Sequence, residues 1–310
     1  LEQACVPRES VFKERGLDTV YNLDELAGID PHKFFEENFI TQGMEQLLSE
    51  AFKRLEGKGA GASGTYLLSQ SMGGGKTHNL IALALLAKFP QYRQQVMGSF
   101  YQPGPLGAVR VVAFTGRKTH TPFGLWGEIA EQLNRKEVFN PFYSPLQPPG
   151  SKNWVELLRG EPLLILLDEL PPYFEAAKAI PVGATHLDSL TTTALANLLV
   201  AVSGNDLPNV CVVVTDLSGT AYHLGGAAMS EALEDLQLEV GRSVVRIDPV
   251  RLNTNELYEI LRTRLFSQVP DPGEIEAVAD GYAKEVEAAR LMDITTASPD
   301  QLRADIVAAY

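Results

Sequence analysis

Cysteine is scarce: two thiols, Cys5 and Cys211, in 310 residues. That excludes a disulfide framework and points to a cytoplasmic setting; Cys211, inside an expected buried strand, reads as an inert thiol. Long apolar runs are missing as well. The longest, around Ile81 to Ala87, is broken by Lys88, far short of the roughly 20 apolar residues of a membrane helix, so no membrane partner is expected. The first residues, LEQACVPRES, have neither the basic head nor the apolar core of a signal peptide. With no Met at position 1 and no tail after Tyr310, the chain is expected to be a piece of a longer protein. Positive charge is in deficit, 26 Lys and Arg against 39 Asp and Glu, for a formal net charge of −13. Such a field is a poor match for a phosphate backbone, although net charge does not report a local basic patch. DNA contact is therefore left to the full-length protein. Internal repeats and low-complexity tracts are absent too.

What is present is an ordinary globular composition, 45% hydrophobic and 21% charged. Residues 65–71 (TYLLSQS) read as a strand entering a glycine-rich turn, and 76–89 (KTHNLIALALLAKF) as a helix stopped by Pro90. That helix is apolar almost all round and should be buried. A strand at 108–115, a helix at 123–133 and a proline-rich loop at 139–152 follow. The run 162–168 (PLLILLD) is a continuous apolar strand, the pattern of a strand covered on both faces. Leu195, Leu198, Leu199 and Val202 mark one face of a helix over 187–203. A strand at 209–215, a helix over about 227–240 and a strand at 243–249 complete the series. Strands alternating with helices give an α/β fold, a parallel sheet with helices on both faces. After Pro249 only helices are expected: one capped by Asn253 or Thr254 with Leu257, Ile260, Leu261 and Leu265 on a face, one with Ile275, Val278, Tyr282 and Val286, and one with Leu302, Ile306 and Val307. The domain reading is an N-terminal segment at 1–60, an α/β core at 61–250 and a small helical domain at 251–310, expected to act as a lid.

Gln70-Ser71-Met72-Gly73-Gly74-Gly75-Lys76-Thr77 lies between the strand and the helix. It matches the phosphate-loop pattern GxxxxGK[ST] at its last three defined positions. Residues Ser71, Met72, Gly73, Gly74 and Gly75 would turn backbone N–H groups around phosphate oxygens, with the helix N-terminus adding partial positive charge. Lys76 would reach the β- and γ-phosphates of ATP, and Thr77 would bind Mg2+. His78 completes the candidate nucleotide-binding stretch, although a packing role suits it better than a catalytic one. Gln70 replaces the first glycine of the pattern, which bears on the loop's entry geometry and not on its ligands.

Asp168-Glu169 ends the apolar strand LLILL. A carboxylate at that edge of a parallel strand lies beside the phosphate loop. Asp168 is the second expected metal residue, and Glu169 is the expected base for an attacking water. Two adjacent acids point to a hydrolase acting on water, since a small kinase has a hydroxyl acceptor. No LSGGQ-like segment points to a transporter ATPase. The phosphate loop and the acidic strand end together make the expected fold a P-loop NTPase (AAA+-like), and in AAA+ ATPases, which this pairing resembles, the neighbouring strand ends in a polar residue near the γ-phosphate. Thr215 is the candidate here and Asp216 the second choice, and Thr115 could contact Glu169. Arg242, ahead of the 243–249 strand, is the candidate arginine aimed at a neighbouring subunit's ATP, with Arg246 as runner-up. Arg262, Arg264, Arg290 and Arg303 compete for a contact in cis.

The segments IDPHKFFEENFIT (29–41), GGGKTH (73–78), LWGEIAEQL (125–133), LLILLDELPPYF (163–174) and LRTRLF (261–266) stand in one order across most of the chain. In this the chain resembles the large prokaryotic ATPases catalogued as domain of unknown function four-nine-nine, which are AAA+-like and related to the ATPases of BREX phage-defence systems. The resemblance implies a magnesium-dependent ATPase whose partners are copies of itself or other subunits of a defence or DNA-modification complex. It also implies that Phe39-Ile40-Thr41 flanks the adenine. An ATP-gated scaffold with little turnover is the alternative role.

Overall fold

The structure is a computed structural model, and it describes residues 5–12, 21–57, 62–69, 74–216, 244–250, 255–269, 272–288 and 298–309. The chain forms two compact units. The larger takes in Tyr21–His32 and Ile40–Arg251, and the smaller Leu1–Val20, Lys33–Phe39 and Leu252–Tyr310. The first 60 residues are thus shared between the two.

Among the described residues of the larger unit, five strands form one sheet: β1 (Thr65–Ser69), β2 (Arg110–Thr115), β3 (Leu163–Asp168), β4 (Val210–Asp216) and β5 (Val245–Ile247). Their order is β2-β3-β4-β1-β5, and every neighbouring pair is parallel. β-Branched and leucine side chains fill both faces, because a parallel sheet is covered on both. All six residues of β3 are buried. On one face Leu67, Val112, Phe114, Ile165, Leu167, Val212 and Val214 pack with α3 (Gly124–Gln132), α4 (Ser151–Leu158), α5 (Leu170–Lys178) and α6 (Leu187–Ser203), where Trp126, Trp154 and Tyr173 are buried. Tyr66, Leu68, Leu164, Leu166 and Val213 alternate with these and are buried too. On that side lie α1 (Gln42–Leu55) and α2 (Lys76–Lys88). Each leucine so covered contributes about 1.5–3 kcal/mol.

The expected all-round burial of α2 holds from Asn79 to Ala87. Its end is closed by a buried arginine that periodicity alone would place on a surface. Arg93 donates to the carbonyls of Leu86 (2.7 Å), Ala87 (2.9 Å), Gly107 (2.8 Å) and Leu106, with its guanidinium 4.9 Å from the Phe52 ring centroid. Burial pushes its pKa down, partly offset by Glu56. Two of those carbonyls, Leu86 and Ala87, belong to the last turn of α2, where a helix leaves carbonyls without intrahelical partners, and the other two lie in the loop ahead of β2.

Several expectations change. The proline-rich stretch 139–152 is not one loop: a 3-10 helix spans Lys136–Phe142, and α4 starts at Ser151. A small hairpin, Pro181–Val182 with Thr185–His186, separates α5 from α6. The final strand is shorter than 243–249, and the helix expected over about 227–240 lies outside the described residues.

The smaller unit contains α7 (Glu256–Leu265), α8 (Pro272–Ala288) and α9 (Pro299–Ala309). It is not helical throughout, since Phe266–Gln268 pairs antiparallel with Val6–Pro7. Arg8 secures that pairing by donating to Thr263 O at 2.9 Å and to Glu36 O at 2.9 Å. The apolar faces differ from the sequence reading. Leu257, Leu261 and Leu265 of α7 are exposed, and α8 buries Ile275, Ala279 and Ala283 while Val278 and Tyr282 stay exposed. The expected caps Asn253 and Thr254 lie outside the described residues. No helix among the described residues is long and apolar enough to cross a membrane.

Candidate functional site

The strand order reverses direction at β1. From β1 the chain passes to β2 at the far edge, then steps back through β3 and β4, and β5 lies beyond β1. The carboxyl end of β1 is therefore a topological switch point, where parallel sheets open a crevice for ligands. To that end of the sheet the sequence delivers Gly74, Gly75 and the start of α2.

Gln70, Ser71, Met72 and Gly73 lie outside the described residues. Gly75 is left-handed, φ 75° and ψ 16°, and directly precedes Lys76, the first residue of α2. Glycine takes this conformation without penalty. Lys76 is 8% exposed at the helix N-terminus. Asn79, not singled out from sequence, fastens the turn: its backbone N–H and its Nδ2 each donate to Gly75 O at 3.0 Å. His78 makes a tilted ring contact with Tyr21, centroids 5.8 Å apart.

The first turn of α2 places Thr77 at the end of β3. The Thr77 hydroxyl donates to Asp168 Oδ2 at 2.7 Å. From the other side the Thr215 hydroxyl donates to Asp168 Oδ1 at 2.6 Å and accepts the Glu169 N–H at 3.1 Å. Thr77, Asp168, Glu169 and Thr215, 138 positions apart at the extremes, thus form one hydrogen-bonded cluster. Asp168 is 3% exposed. Burial pushes its carboxyl pKa up, the Thr215 and Thr77 hydroxyls pull it back down, and neighbouring Glu169 raises it again. A divalent cation would offset that burial directly. Among the described residues no group of three or more His, Cys, Asp or Glu could hold a metal unaided. The all-oxygen pair Thr77 and Asp168 therefore suits a hard cation that brings further oxygen ligands from water and phosphate, as Mg2+ does.

Glu169 leaves β3 in the left-handed region, φ 48° and ψ 43°. Outside glycine this conformation is costly and clusters at functional sites. Its carboxylate is gripped by Arg117, through Nε to Oε2 and through Nη2 to Oε1 at 3.1 Å. The root of that arginine is fixed: Gly116 N donates to Asp168 O at 2.8 Å, and a Cβ at Gly116 would meet Glu169 O at 2.0 Å. Arg117 went unnoticed in the sequence, where a strand-end Thr-Gly-Arg has no pattern of its own. Thr115, expected near Glu169, pairs in register with Asp168 and accepts the Arg117 N–H at 3.4 Å.

The backbone of Asp216 pairs with Ser69 in register. Arg246 is exposed in β5 opposite Leu67, while Arg242 and Arg290 lie outside the described residues. Within the smaller unit Arg262 pairs with Glu259, Arg264 donates to Asn38, and Arg303 holds Asp280 and Glu276. Thr41 caps α1 by accepting the Met44 N–H at 3.1 Å, and its hydroxyl donates to Pro249 O at 2.5 Å. Beside it a Cβ at Gly43 would lie 2.0 Å from Asp248 O, while one at Gly75 would lie 4.0 Å from Val250. The start of α1 and residues 248–250 are thereby packed next to the glycine turn.

Searches of curated proteins and of solved structures returned no match to this chain. Residues 17–98 match the family model described as the DUF499 N-terminal domain, a stretch that takes in β1, the glycine turn and all of α2, and the match supports the DUF499 family.

Proposed function

We propose that this chain binds Mg-ATP and hydrolyses it to ADP and phosphate, as the P-loop motor module of an AAA+-type ATPase. The observation that best supports the reading is the joining of Thr77, the second residue of α2, to Asp168 at the end of β3, beside a lysine at a helix N-terminus. Lys76 would neutralise β- and γ-phosphate charge. Thr77 and Asp168 would hold Mg2+, which supplies charge neutralisation on the phosphate oxygens. Glu169 would accept a proton from the attacking water, and Thr215 would position both acids through its two hydrogen bonds. The smaller unit would serve as the lid. The wider role, in a phage-defence or DNA-modification complex with homo-oligomer or complex partners, rests on the family resemblance, and the proposed cytoplasmic location on the scarcity of cysteine.

A scaffold that binds ATP with little turnover is the second reading. It is favoured by the two-pronged hold of Arg117 on Glu169, which competes with that carboxylate's work as a base. One pair of variants separates the readings. Lys76→Ala should abolish Mg-ATP binding in calorimetry, and unchanged affinity in a folded variant would remove the phosphate-loop assignment. Glu169→Gln should keep ATP affinity and lower turnover about 100-fold or more. A parent protein already as slow as Glu169→Gln would decide for the scaffold.

A further inference from the structure

We propose that the opposite end of the sheet carries a second anion site, a cleft in which Arg110, Arg135 and Arg159 hold the phosphate group of a small molecule. The three come from separate elements and meet where β2 and β3 begin. Arg110 is the first residue of β2 and pairs in register with Leu163, the first of β3. Arg135 precedes the 3-10 helix that follows α3, and Arg159 follows the last residue of α4. Together with Glu161 they line one open cleft backed by buried leucines, Leu133 and Leu163 among them. Thr115 and Asp168 pair at the other end of the same two strands, so the cleft begins about 16 Å from the acid cluster.

Most donors of these guanidiniums are free. Arg135 directs Nη1 to Leu157 O at 2.7 Å and to Arg159 O at 3.0 Å, which closes the carboxyl end of α4. Its Nε and Nη2 have no acceptor among the described residues. Arg110 uses Nη2 alone, on Gln132 O at 3.1 Å. Arg159 lies 3.8 Å from Asp206, with the two side chains 66% and 70% exposed. That is too far for a hydrogen bond and too wet for firm pairing. Glu161, the acid lining the cleft, pairs with none of the three arginines. Gly160 leaves space beside them. Its φ of 130° favours glycine, and a Cβ there would lie 3.7 Å from Arg135 Nη2.

Three guanidiniums against one carboxylate leave an excess of positive charge on a chain whose net charge is −13. A guanidinium fork matches the oxygens of a phosphate, and the excess suits a group of charge about −2 better than a monocarboxylate. The acidic field of the chain repels a long polyanion through every charge that extends beyond the cleft. A small phosphate meets that field once. The ligand class is therefore a small phosphate and not a nucleic acid.

The test is calorimetry of the full chain with inorganic phosphate at low chloride. The parent should bind with a Kd of about 1 mM or tighter. Arg110→Gln and Arg159→Gln should each weaken binding at least about tenfold, because each removes charge-assisted hydrogen bonds. Neither side chain is buried, so their urea unfolding should match that of the parent. Arg135 stays in place because it closes α4. Glu161→Gln should tighten binding, which arginines with a structural role alone would not produce. Lys76→Ala should keep the phosphate affinity of this cleft. Phosphate binding lost in Lys76→Ala and kept in both arginine variants would place the anion at the phosphate loop and overturn the proposal, leaving the ATPase reading untouched. A parent that binds no phosphate would also overturn it. So would a short single-stranded oligonucleotide that binds through these arginines where inorganic phosphate does not. A chain that binds no Mg-ATP yet loses phosphate in the arginine variants would fail the ATPase reading and support the second site.

Discussion

Glu169 is the residue where local backbone preference and proposed chemistry conflict. It sits in the left-handed region, a conformation that costs a side-chain-bearing residue about 1–2 kcal/mol. The surroundings enforce it: Thr215 Oγ1 holds the Glu169 N–H, and Gly116 packs against the Glu169 carbonyl. Glu169→Ala and Glu169→Gly remove the same carboxylate and the same Arg117 contact, and differ only in what the backbone tolerates. The glycine variant should be the more stable of the two by about 1 kcal/mol in urea unfolding, part of the relief being offset by glycine's greater freedom in the unfolded chain. A glycine variant less stable than the alanine variant would mean that the turn is unstrained. At this scale much of the site was legible. Lys76, Thr77, Asp168 and Glu169 follow from the spacing of glycines and from acids at a strand end. Arg117 and Asn79 did not follow, because their roles arise from which backbone atoms the fold brings near them. Thr215 was legible as a site residue, yet its hydroxyl engages Asp168 and Glu169, contacts that only the three-dimensional arrangement reveals.

Among the elements, the strands with continuous apolar runs were the plainest in sequence. A run such as LLILL admits only double-sided burial. The short pairings were not legible: Pro181–Val182 with Thr185–His186, and Phe266–Gln268 with Val6–Pro7, have too few residues to show alternation. Nor was the use of arginine as an internal tie. Arg54, in the last turn of α1, reads as a surface charge, yet it is buried and donates to Val202 O at 2.7 Å, Leu207 O at 2.5 Å, Val210 O at 3.0 Å and Ala62 O at 3.5 Å. It thereby joins α1 to the end of α6 and the start of β4. A guanidinium can do this because its donors fan out in a plane, whereas an ammonium presents a point charge. Arg54→Met should lower unfolding free energy by at least about 3 kcal/mol, since several buried carbonyls lose partners together. Arg54→Lys should recover only part of the loss. A change under about 1 kcal/mol in chemical denaturation would show that water replaces the arginine without penalty.

For the molecule as a whole, the open question is whether one chain completes its own site. Arg242 lies outside the described residues, so its proposed role rests on sequence position alone, directly after Gly241 and just ahead of β5. An arginine delivered by a neighbouring subunit can be worth roughly 10³-fold in rate. With a net charge of −13, like copies of this chain repel at long range, and that repulsion is screened at physiological salt. Association should therefore be weaker at low ionic strength, the opposite of an interface between unlike charges. If Arg242 serves a neighbour, activity per subunit should rise with protein concentration, with the rise shifted to higher concentration at low salt. Arg242→Ala should bind ATP normally and lose the concentration-dependent part of the rate. Mixing Arg242→Ala with Lys76→Ala should restore activity, because the intact arginine of one chain completes the intact phosphate loop of the other. A rate independent of concentration that survives Arg242→Ala would sink the role in trans and leave each chain to hydrolyse ATP with the charges of its own site.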